Sequence, residues 1–528
     1  MTRIDERVST HVYKVKRISK EEMESIAGVC VYDQPPFCNA ACPLKLDVKA
    51  MLKAAAENDF KKAFKIYESI APFPLILSAG CGAPCEEKCR LCELGDGIAI
   101  GDIERAVALS GGAGEKRSIF RVRKKKKAAV FGSGLFALLL AGELEKKGYP
   151  VTAICGEADE EEYLRVAAGF LREDDFYTEL KRLRGKDIAF EFNAEMTREL
   201  FEEKRGGFDV LCASEKAALD IFPGAVRDEG IMLMESEGLL TGGGETVLEA
   251  ALGARKAALT ADRLAQGIDP RSARGEEGPV TSRLYTNPDL ARGLIRIKGC
   301  ESGYTREQAA EEAGRCMQCH CDECLRGCAY LRRFNKHPGL LSREIYNNTQ
   351  IIMGDHPLNR AMNACALCGQ CTVTCPHGFD MAHVCRTARE NMVDTDKMPL
   401  AAHEFALLDM LFSNGEAYLC RKQPGHSHCR YVFFPGCQAA AIAPEAVIAA
   451  YEDLCTRLKG GVALMLGCCG AIAHWAGRGE MYGEVRDKIA AELAALEDYA
   501  AAPTPEKAQA VRPLCAVDPV EPWRVIAI

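Results

Sequence analysis

Two short runs of cysteine between Cys316 and Pro376 constrain the possible folds more than any other stretch of the chain. The first run is C-x2-C-x4-C-x3-C at Cys316, Cys319, Cys324 and Cys328. The second is C-x2-C-x2-C-x3-C-P at Cys365, Cys368, Cys371 and Cys375, closed by Pro376. Closely spaced thiols wrap a loop around one polynuclear centre, and a last thiol a helical turn later points away to a second centre. Soft thiolate sulfur selects iron–sulfur clusters or zinc. Two runs of four with a proline after the last favour iron–sulfur over a zinc ribbon. Cysteines serving only as small buried hydrophobes have no reason to repeat at these intervals. The expectation is a protein that moves electrons.

The second run has the ligand spacing of bacterial ferredoxins, which hold 4Fe-4S cubanes through thiolates. In that arrangement Cys316, Cys319, Cys324 and Cys375 hold one cluster, and Cys365, Cys368, Cys371 and Cys328 hold the other. The surrounding module, taken as 304–425, resembles the dicluster ferredoxin domain of heterodisulfide reductase, glycerol-3-phosphate dehydrogenase and lactate-utilisation subunits. A helical stretch, TREQAAEEAGRCMQC, delivers Cys316 from its end, and Arg343 to Met353 reads as a helix and loop returning the chain for the second run. Cys321 and Cys385 fall outside both quartets and read as ordinary thiols, with Cys321 placed to compete with Cys319. His320, His377 and His383 lie near the runs, and hydrogen-bonding or surface roles suit them better than ligation.

A chain of 528 residues is too long for one core. Its formal charge of −8 argues against nucleic acid as a general partner. The N-terminus is charged throughout and has no apolar core of a secretory signal. No run approaches the roughly 18 apolar residues of a membrane span. A cytoplasmic location is expected, where thiols stay reduced, so the 27 cysteines are available to metal rather than to a disulfide framework. Clusters of this kind fit anaerobic metabolism.

Residues 1–123 carry a second set of cysteines. Cys30, Cys38 and Cys42-Pro43 precede a helical stretch with Asp47 as N-cap and a break at Asn58-Asp59. Then come Cys81, Cys85 and Cys89, with Cys92 beyond, and a closing helix from about Ile98. The motifs C-x3-C-P, C-G-A-P-C-E-x2-C and G-I-A-I-G-D-I-E-R resemble the N-terminal helical domain of the glutamate synthase small subunit and of dihydropyrimidine dehydrogenase. That resemblance implies up to two 4Fe-4S clusters. Cys30, Cys38 and Cys89 serve one; Cys42, Cys81 and Cys85 serve the other, with Glu104 as its fourth ligand or as a solvated helix carboxylate. Where the family has a further cysteine this chain has Asp33. The alternatives are an oxygen ligand from Asp33, substitution by Cys92, a three-iron cluster, or no cluster.

Residues 124–270 read as a Rossmann-like, FAD-type domain. The basic run Arg121 to Lys127 is a solvated lead-in. A strand (Ala128–Phe131), a glycine turn, a helix (Leu135–Lys147) and a strand (Val151–Cys155) follow. Gly132, Gly134 and Ala137 fit G-x-G-x-x-G/A in its proper context. The glycines allow the turn and the approach of a pyrophosphate to a helix N-terminus, and the small third residue lets helix and strand pack. In the glutamate synthase small subunit, which this order of modules resembles, the pocket holds FAD. Later, GLLTGGGETVLEAALGARKAALTADRLAQG, with Gly242 and Gly243, resembles the closing FAD segment. Two departures stand against an intact site: the acid expected at the end of the second strand is Cys155, and the expected Gly-Asp is Gly243-Gly244. About 140 residues are too few for an additional NAD(P)H domain. The rival reading is an empty structural remnant.

Residues 271–303 read as a linker rich in glycine, proline and charge. In 426–528, P-G-C at Cys437 and C-C-G at Cys468, Cys469 and Gly470 resemble half of a CCG domain of the heterodisulfide reductase type, a small α/β unit. It implies up to one more cluster, at a site that is either cut short by truncation or completed by a partner; Cys515 alone follows. His426-Ser-His428-Cys429 reads as a loop rather than a metal knuckle. The expected whole is a multidomain α+β and α/β protein with helical iron–sulfur modules. Its expected function is a cytosolic iron–sulfur flavoprotein relaying electrons between a flavin and a redox partner or substrate. The rivals are an NAD(P)H-dependent reductase, a non-catalytic electron-transfer subunit and a zinc-stabilised scaffold.

Overall fold

The computed structural model describes residues 19–110, 123–272, 274–275, 277–299, 303–398, 402–496 and 525–526. Arg121 and Cys515 lie outside the described residues. The chain divides into two compact units, Asp33–Cys321 and Met1–Tyr32 with Asp322–Ile528. This division cuts across the expected segments, because it separates Cys30 from the other cysteines of the first 123 residues. The helix that precedes Cys30, α1 (Lys20–Ala27), is N-capped by Ser19 and belongs to the second unit.

The unit 33–321 opens on the short helix α2 (Phe37–Ala41), then α3 (Val48–Ala56), α4 (Phe60–Glu68), α5 (Pro74–Gly80) and α6 (Ile100–Ser110). Asp47 caps α3 through Ala50 N and Asp59 caps α4 through Lys62 N. Both are side-chain acceptors for N–H groups that a helix start leaves unpaired. Val48, Met51, Leu52, Phe60, Ala63, Tyr67, Ile103 and Val107 point inward from these helices and form one continuous core.

That core runs on into a sheet. β1 (Ala128–Phe131), β2 (Val151–Ile154), β3 (Ile188–Glu191), β4 (Val210–Ser214), β5 (Leu233–Met234) and β6 (Leu239–Gly242) stand in the order β3-β2-β1-β4-β6-β5. All neighbours are parallel except β5 with β6. The order reverses beside β1, giving a switch point between β1 and β4 where such sheets bind ligands. Helix α7 (Leu135–Lys146) follows the glycine turn after β1 and packs on α8 (Val247–Ala265). A capping box of Thr246 and Glu249 starts α8.

The stretch expected as a linker lies along the N-terminal helices. Val280 N donates to Ala40 O, Ser282 Oγ to Pro35 O, and Arg296 reaches Gly97 O and Glu86. Helix α9 (Arg306–Gly314), with its own capping box at Thr305 and Gln308, then packs on α3 and α6.

The second unit contains two parts. Helices α10 (Glu323–Gly327), α11 (Pro338–Gln350), α12 (Gln370–Thr374) and α13 (Met381–Asp394) enclose a core of Leu331, Leu341, Ile345, Met362, Phe379 and Met392. Beyond α14 (Glu404–Asn414), a small sheet has the order β10-β8-β9-β7, from β7 (Leu419–Arg421), β8 (Tyr431–Phe433), β9 (Val462–Leu466) and β10 (Val525–Ile526). Helices α15 (Gly436–Ile442), α16 (Pro444–Arg457) and α17 (Gly479–Leu496) accompany it. Among the described residues no helix is long and apolar enough to cross a membrane.

Candidate metal centres

Four groups of cysteines assemble, and each can be built from its elements. In the second unit, α10 and α12 are alike. Each has five residues, each carries a buried cysteine (Cys324 or Cys371), and each is capped at its C-terminus by an extended cysteine (Cys328 or Cys375). The caps bond back identically, Cys328 N to Cys324 O and Cys375 N to Cys371 O, both at 2.9 Å. Gly327 lets the two helices approach, since a Cβ there would lie 2.8 Å from Thr374 Oγ1. A cavity of about 430 Å³ is lined by Cys328, Cys365, Cys368 and Cys371 together with Tyr330 and Met381. Leu367, between Cys365 and Cys368, takes a left-handed backbone with φ 54°, and its N–H is aimed at the Cys365 sulfur.

Cys385, expected as an ordinary thiol outside both quartets, is fully buried beside this site. Its S–H donates to Cys365, which holds the Cys365 thiol below the usual range and its own above it. Tyr330 Oη lies 3.6 Å from Cys385 Sγ. Arg389, 1% exposed, donates to Met362 O at 2.7 and 2.9 Å, to Cys365 O at 2.5 Å and to Trp475 O at 2.6 Å. A guanidinium this deep is sustained by its full set of carbonyl partners. No local sequence signal marks it, because Arg389 occupies an ordinary position in an amphipathic helix.

A second group gathers around α6. Burial first, then the nearby Glu104 charge, raises the Cys81 thiol to about 12, and the same causes raise Cys85. Cys42 joins them, with Leu46 N donating to its sulfur at 3.4 Å. Glu104 is buried rather than solvated. Burial pushes its carboxyl up to about 8 against the pull of the facing Tyr67 hydroxyl. Three thiols and a carboxyl therefore lie near enough for their charges to act on one another.

The third group lies within the unit 33–321. Cys316 and Cys319 lie with Cys38 and Cys89 at the edge of the core of unit 33–321, whereas Cys324 and Cys375 belong to the other unit. The physical cause is the anchoring of α9. Glu312, with no exposed surface, accepts from Ala99 N at 3.0 Å, Ile297 N at 2.9 Å and Arg315 Nη1 at 2.5 Å. Arg315 donates in turn to Asp96 O at 2.6 Å. This buried pair holds the helix, and the Cys316–Cys319 loop at its end, against the N-terminal helices. Cys30, expected with Cys38 and Cys89, belongs to the second unit. It packs in the second unit beside α11, where a Cβ at Gly339 would fall 2.9 Å from Cys30 Cβ.

The fourth group is at the small sheet. Cys437 sits in the first turn of α15, and Cys468 and Cys469 follow β9. The Cys468 thiol hydrogen-bonds with Cys469 and Cys437; the bond to Cys469 holds Cys469 below the usual thiol range. Asn414 pins Cys468 from both sides, accepting from its N–H at 2.8 Å and donating to its carbonyl at 3.0 Å.

Among the described residues, no three Cys, His, Asp or Glu side chains converge on a point one ion could occupy. A cubane makes no such demand, because each thiolate binds a different iron at a separate corner. The groupings suit polynuclear clusters on that ground.

The glycine turn fits half of a dinucleotide. Gly132 (φ 85°) abuts Ser214 and Ala217, which a Cβ would strike at 2.4 and 2.7 Å. Gly134 (φ 99°) caps α7 with open space before it, as a pyrophosphate requires, and Ala137 is fully buried under the helix. The ribose end does not fit. Cys155 is completely buried beside Glu157 and offers no carboxylate to a hydroxyl. Around Gly242, Phe136 and Met232 fill the space of a side chain, and at Gly243 the Glu215 carboxylate does so.

These centres define a class by their chemistry, and comparison with known proteins agrees. Residues 7–112 match the family model described as dihydropyrimidine dehydrogenase domain II, 4Fe-4S cluster, and residues 315–380 match a 4Fe-4S dicluster domain. Over 230 residues the chain is 28% identical to NADPH-Fe(3+) oxidoreductase subunit beta of Geobacter sulfurreducens, covering 41% of this chain and 33% of that one. It is 28% identical over 159 residues to NADP(+)-dependent formate dehydrogenase subunit beta of Moorella thermoacetica, 25% and 21% of the two chains. With the glutamate synthase [NADPH] small chain of Azospirillum brasilense it shares 29% over 146 residues, 26% and 29% of the two. The chain spans about a third or less of the length of these relatives. It is an iron–sulfur protein with two 4Fe-4S domains, homologous over part of its length to oxidoreductase subunits.

Proposed function

We propose that this chain is the electron-transfer component of a cytoplasmic oxidoreductase, passing single electrons through several 4Fe-4S clusters to or from a redox partner subunit. The cavity framed by Cys328, Cys365, Cys368 and Cys371 carries this reading. One cluster would be held there, another by Cys42, Cys81, Cys85 and Glu104, and others by the remaining groups of cysteines. A bound cluster supplies one-electron chemistry. The chain supplies burial and hydrogen bonds to sulfur, which set the potential. Cys437, Cys468 and Cys469 form the half-site that a partner completes. The apolar face of α14 supports this, with Phe405, Leu408, Leu411 and Phe412 exposed on the helix whose Leu407 and Met410 pack near Cys468.

In the fuller form of the reading, a flavin on the Gly132–Gly134 turn exchanges electrons with the clusters. The buried Cys155 favours a second form, in which the sheet is structural and the chain is a wire without flavin. Anaerobic purification, with iron, sulfide, zinc and released flavin measured on one sample, decides between them. Iron and sulfide with FAD support the relay, and iron and sulfide without flavin support the wire. Zinc without sulfide refutes both. Oxidation of NADPH by the pure chain would instead make it a complete reductase.

A further inference from the structure

We propose that Cys38, Cys89, Cys316 and Cys319 together hold one 4Fe-4S cluster, with half of its ligands from the N-terminal helices and half from beyond the nucleotide-binding sheet. The inference rests on the reading that the chain carries clusters, and it assigns a ligand set that neither cysteine run contains by itself. Within the N-terminal segment the set is short of ligands. Asp33 is exposed, and the Cys92 thiol is engaged with Glu86 O at 3.4 Å. The missing pair comes from the end of α9.

The Cys316–Cys319 loop is built like the Cys365–Cys368 loop. In each, the third residue is left-handed (Gln318 φ 50°, Leu367 φ 54°) and turns its N–H toward the first sulfur. N–H groups aimed at sulfur stabilise thiolate and cluster charge. Further donors converge here. The Gln318 amide donates to Cys316 Sγ at 3.3 Å, and the Thr286 hydroxyl, buried with no other partner, faces Cys319.

Lys49 ties the two halves together. Its Nζ donates to Cys319 O at 2.9 Å and its carbonyl accepts from Gln318 Nε2 at 3.3 Å. Its backbone N–H donates to Asn39, the residue after Cys38, at 3.0 Å. Cys89 completes the group, close enough that its charge acts on Cys38, Cys316 and Cys319. Four thiols, a lysine and three donors at sulfur form a ligand set in one unit.

The test is a cycle of serine variants in the full chain, purified anaerobically, with iron and sulfide counted. Cys38→Ser with Cys89→Ser should lose about four irons, and Cys316→Ser with Cys319→Ser the same number, because each pair is half of one cubane. The fourfold variant should also lose only about four. A loss of about eight in the fourfold variant would place the pairs on different clusters and overturn the proposal. If a variant does not fold, stepwise chelation of the wild-type chain replaces it, with newly alkylatable cysteines mapped by mass spectrometry. Cys38, Cys89, Cys316 and Cys319 should become reactive in the same step, and appearance in separate steps overturns the assignment. Wild-type protein without sulfide would instead refute the cluster reading itself.

Discussion

Replacing Glu312 with alanine should free α9 from the N-terminal helices and take the Cys316–Cys319 loop with it. The carboxylate has three partners, two of them backbone N–H groups and the third the Arg315 guanidinium, itself only 5% exposed. Breaking a buried ion pair costs about 3–5 kcal/mol because the remaining charge is left uncompensated. Each bare buried N–H adds about 1–3 kcal/mol, so the lower ends together give about 5 kcal/mol. That is comparable with the stability of a whole domain, so local release of the helix is the cheaper outcome. Hydrogen exchange on the anaerobic holoprotein reads it directly. Amides of Arg306–Gly314 should lose about three to four orders of magnitude of protection, since about 1.4 kcal/mol is tenfold. Glu312→Gln keeps one oxygen for Ala99 N and Arg315 but leaves the Ile297 N–H without an acceptor and the guanidinium without its counter-charge, so it should cost less than Glu312→Ala yet still about 3 kcal/mol or more. The double variant Glu312→Ala, Arg315→Ala should cost less than the sum of its parts, because it leaves no orphaned charge. Protection of α9 unchanged within about tenfold, or strict additivity, would refute the reasoning.

Four further outcomes follow from the same structure. Arg389→Ala strips donors from Met362, Cys365 and Trp475 carbonyls and should cost at least about 3 kcal/mol, measured as denaturant-induced unfolding of the holoprotein. Cys385→Ala removes the thiol donor to Cys365; iron content should hold while the potential of one cluster falls in an EPR-monitored redox titration, whereas loss of iron would make Cys385 a ligand. Gly132→Ala drives a Cβ into Ser214 and Ala217 at a positive φ and should destabilise the sheet by about 1–3 kcal/mol, seen as earlier thermal unfolding. On chelation, the site with the exposed Cys368 should release iron before the site of buried Cys42, Cys85 and Glu104, followed by the decay of visible absorbance and by iron release.

What could be read from the sequence, and what could not, follows the distance over which each feature is encoded. The β1–α7–β2 unit was legible because a strand, a glycine turn and a helix lie within thirty residues of one another, and their hydrophobic periods and the turn's φ requirement are local facts. The cysteine inside each short helix and the one at its C-terminal cap, Cys324 and Cys328 or Cys371 and Cys375, were legible for the same reason. The partners proposed here for Cys316 and Cys319 were not, since Cys38 and Cys89 are far away in sequence and a C-x2-C loop looks the same whichever centre it serves. One signal was available. The step from Cys319 to Cys324 is x4 where the second run has x2, while Cys321-x2-Cys324-x3-Cys328 repeats the regular spacing of Cys368-x2-Cys371-x3-Cys375. Read in that register, Cys316 and Cys319 are left over from the dicluster run, so they were open to another set. Glu312 gave no comparable warning, because an acid on a polar-looking helix is ordinarily solvated. Its burial is decided by Ala99, Ile297 and Arg315, which meet it only once the stretch after the sheet has folded back along the N-terminal helices.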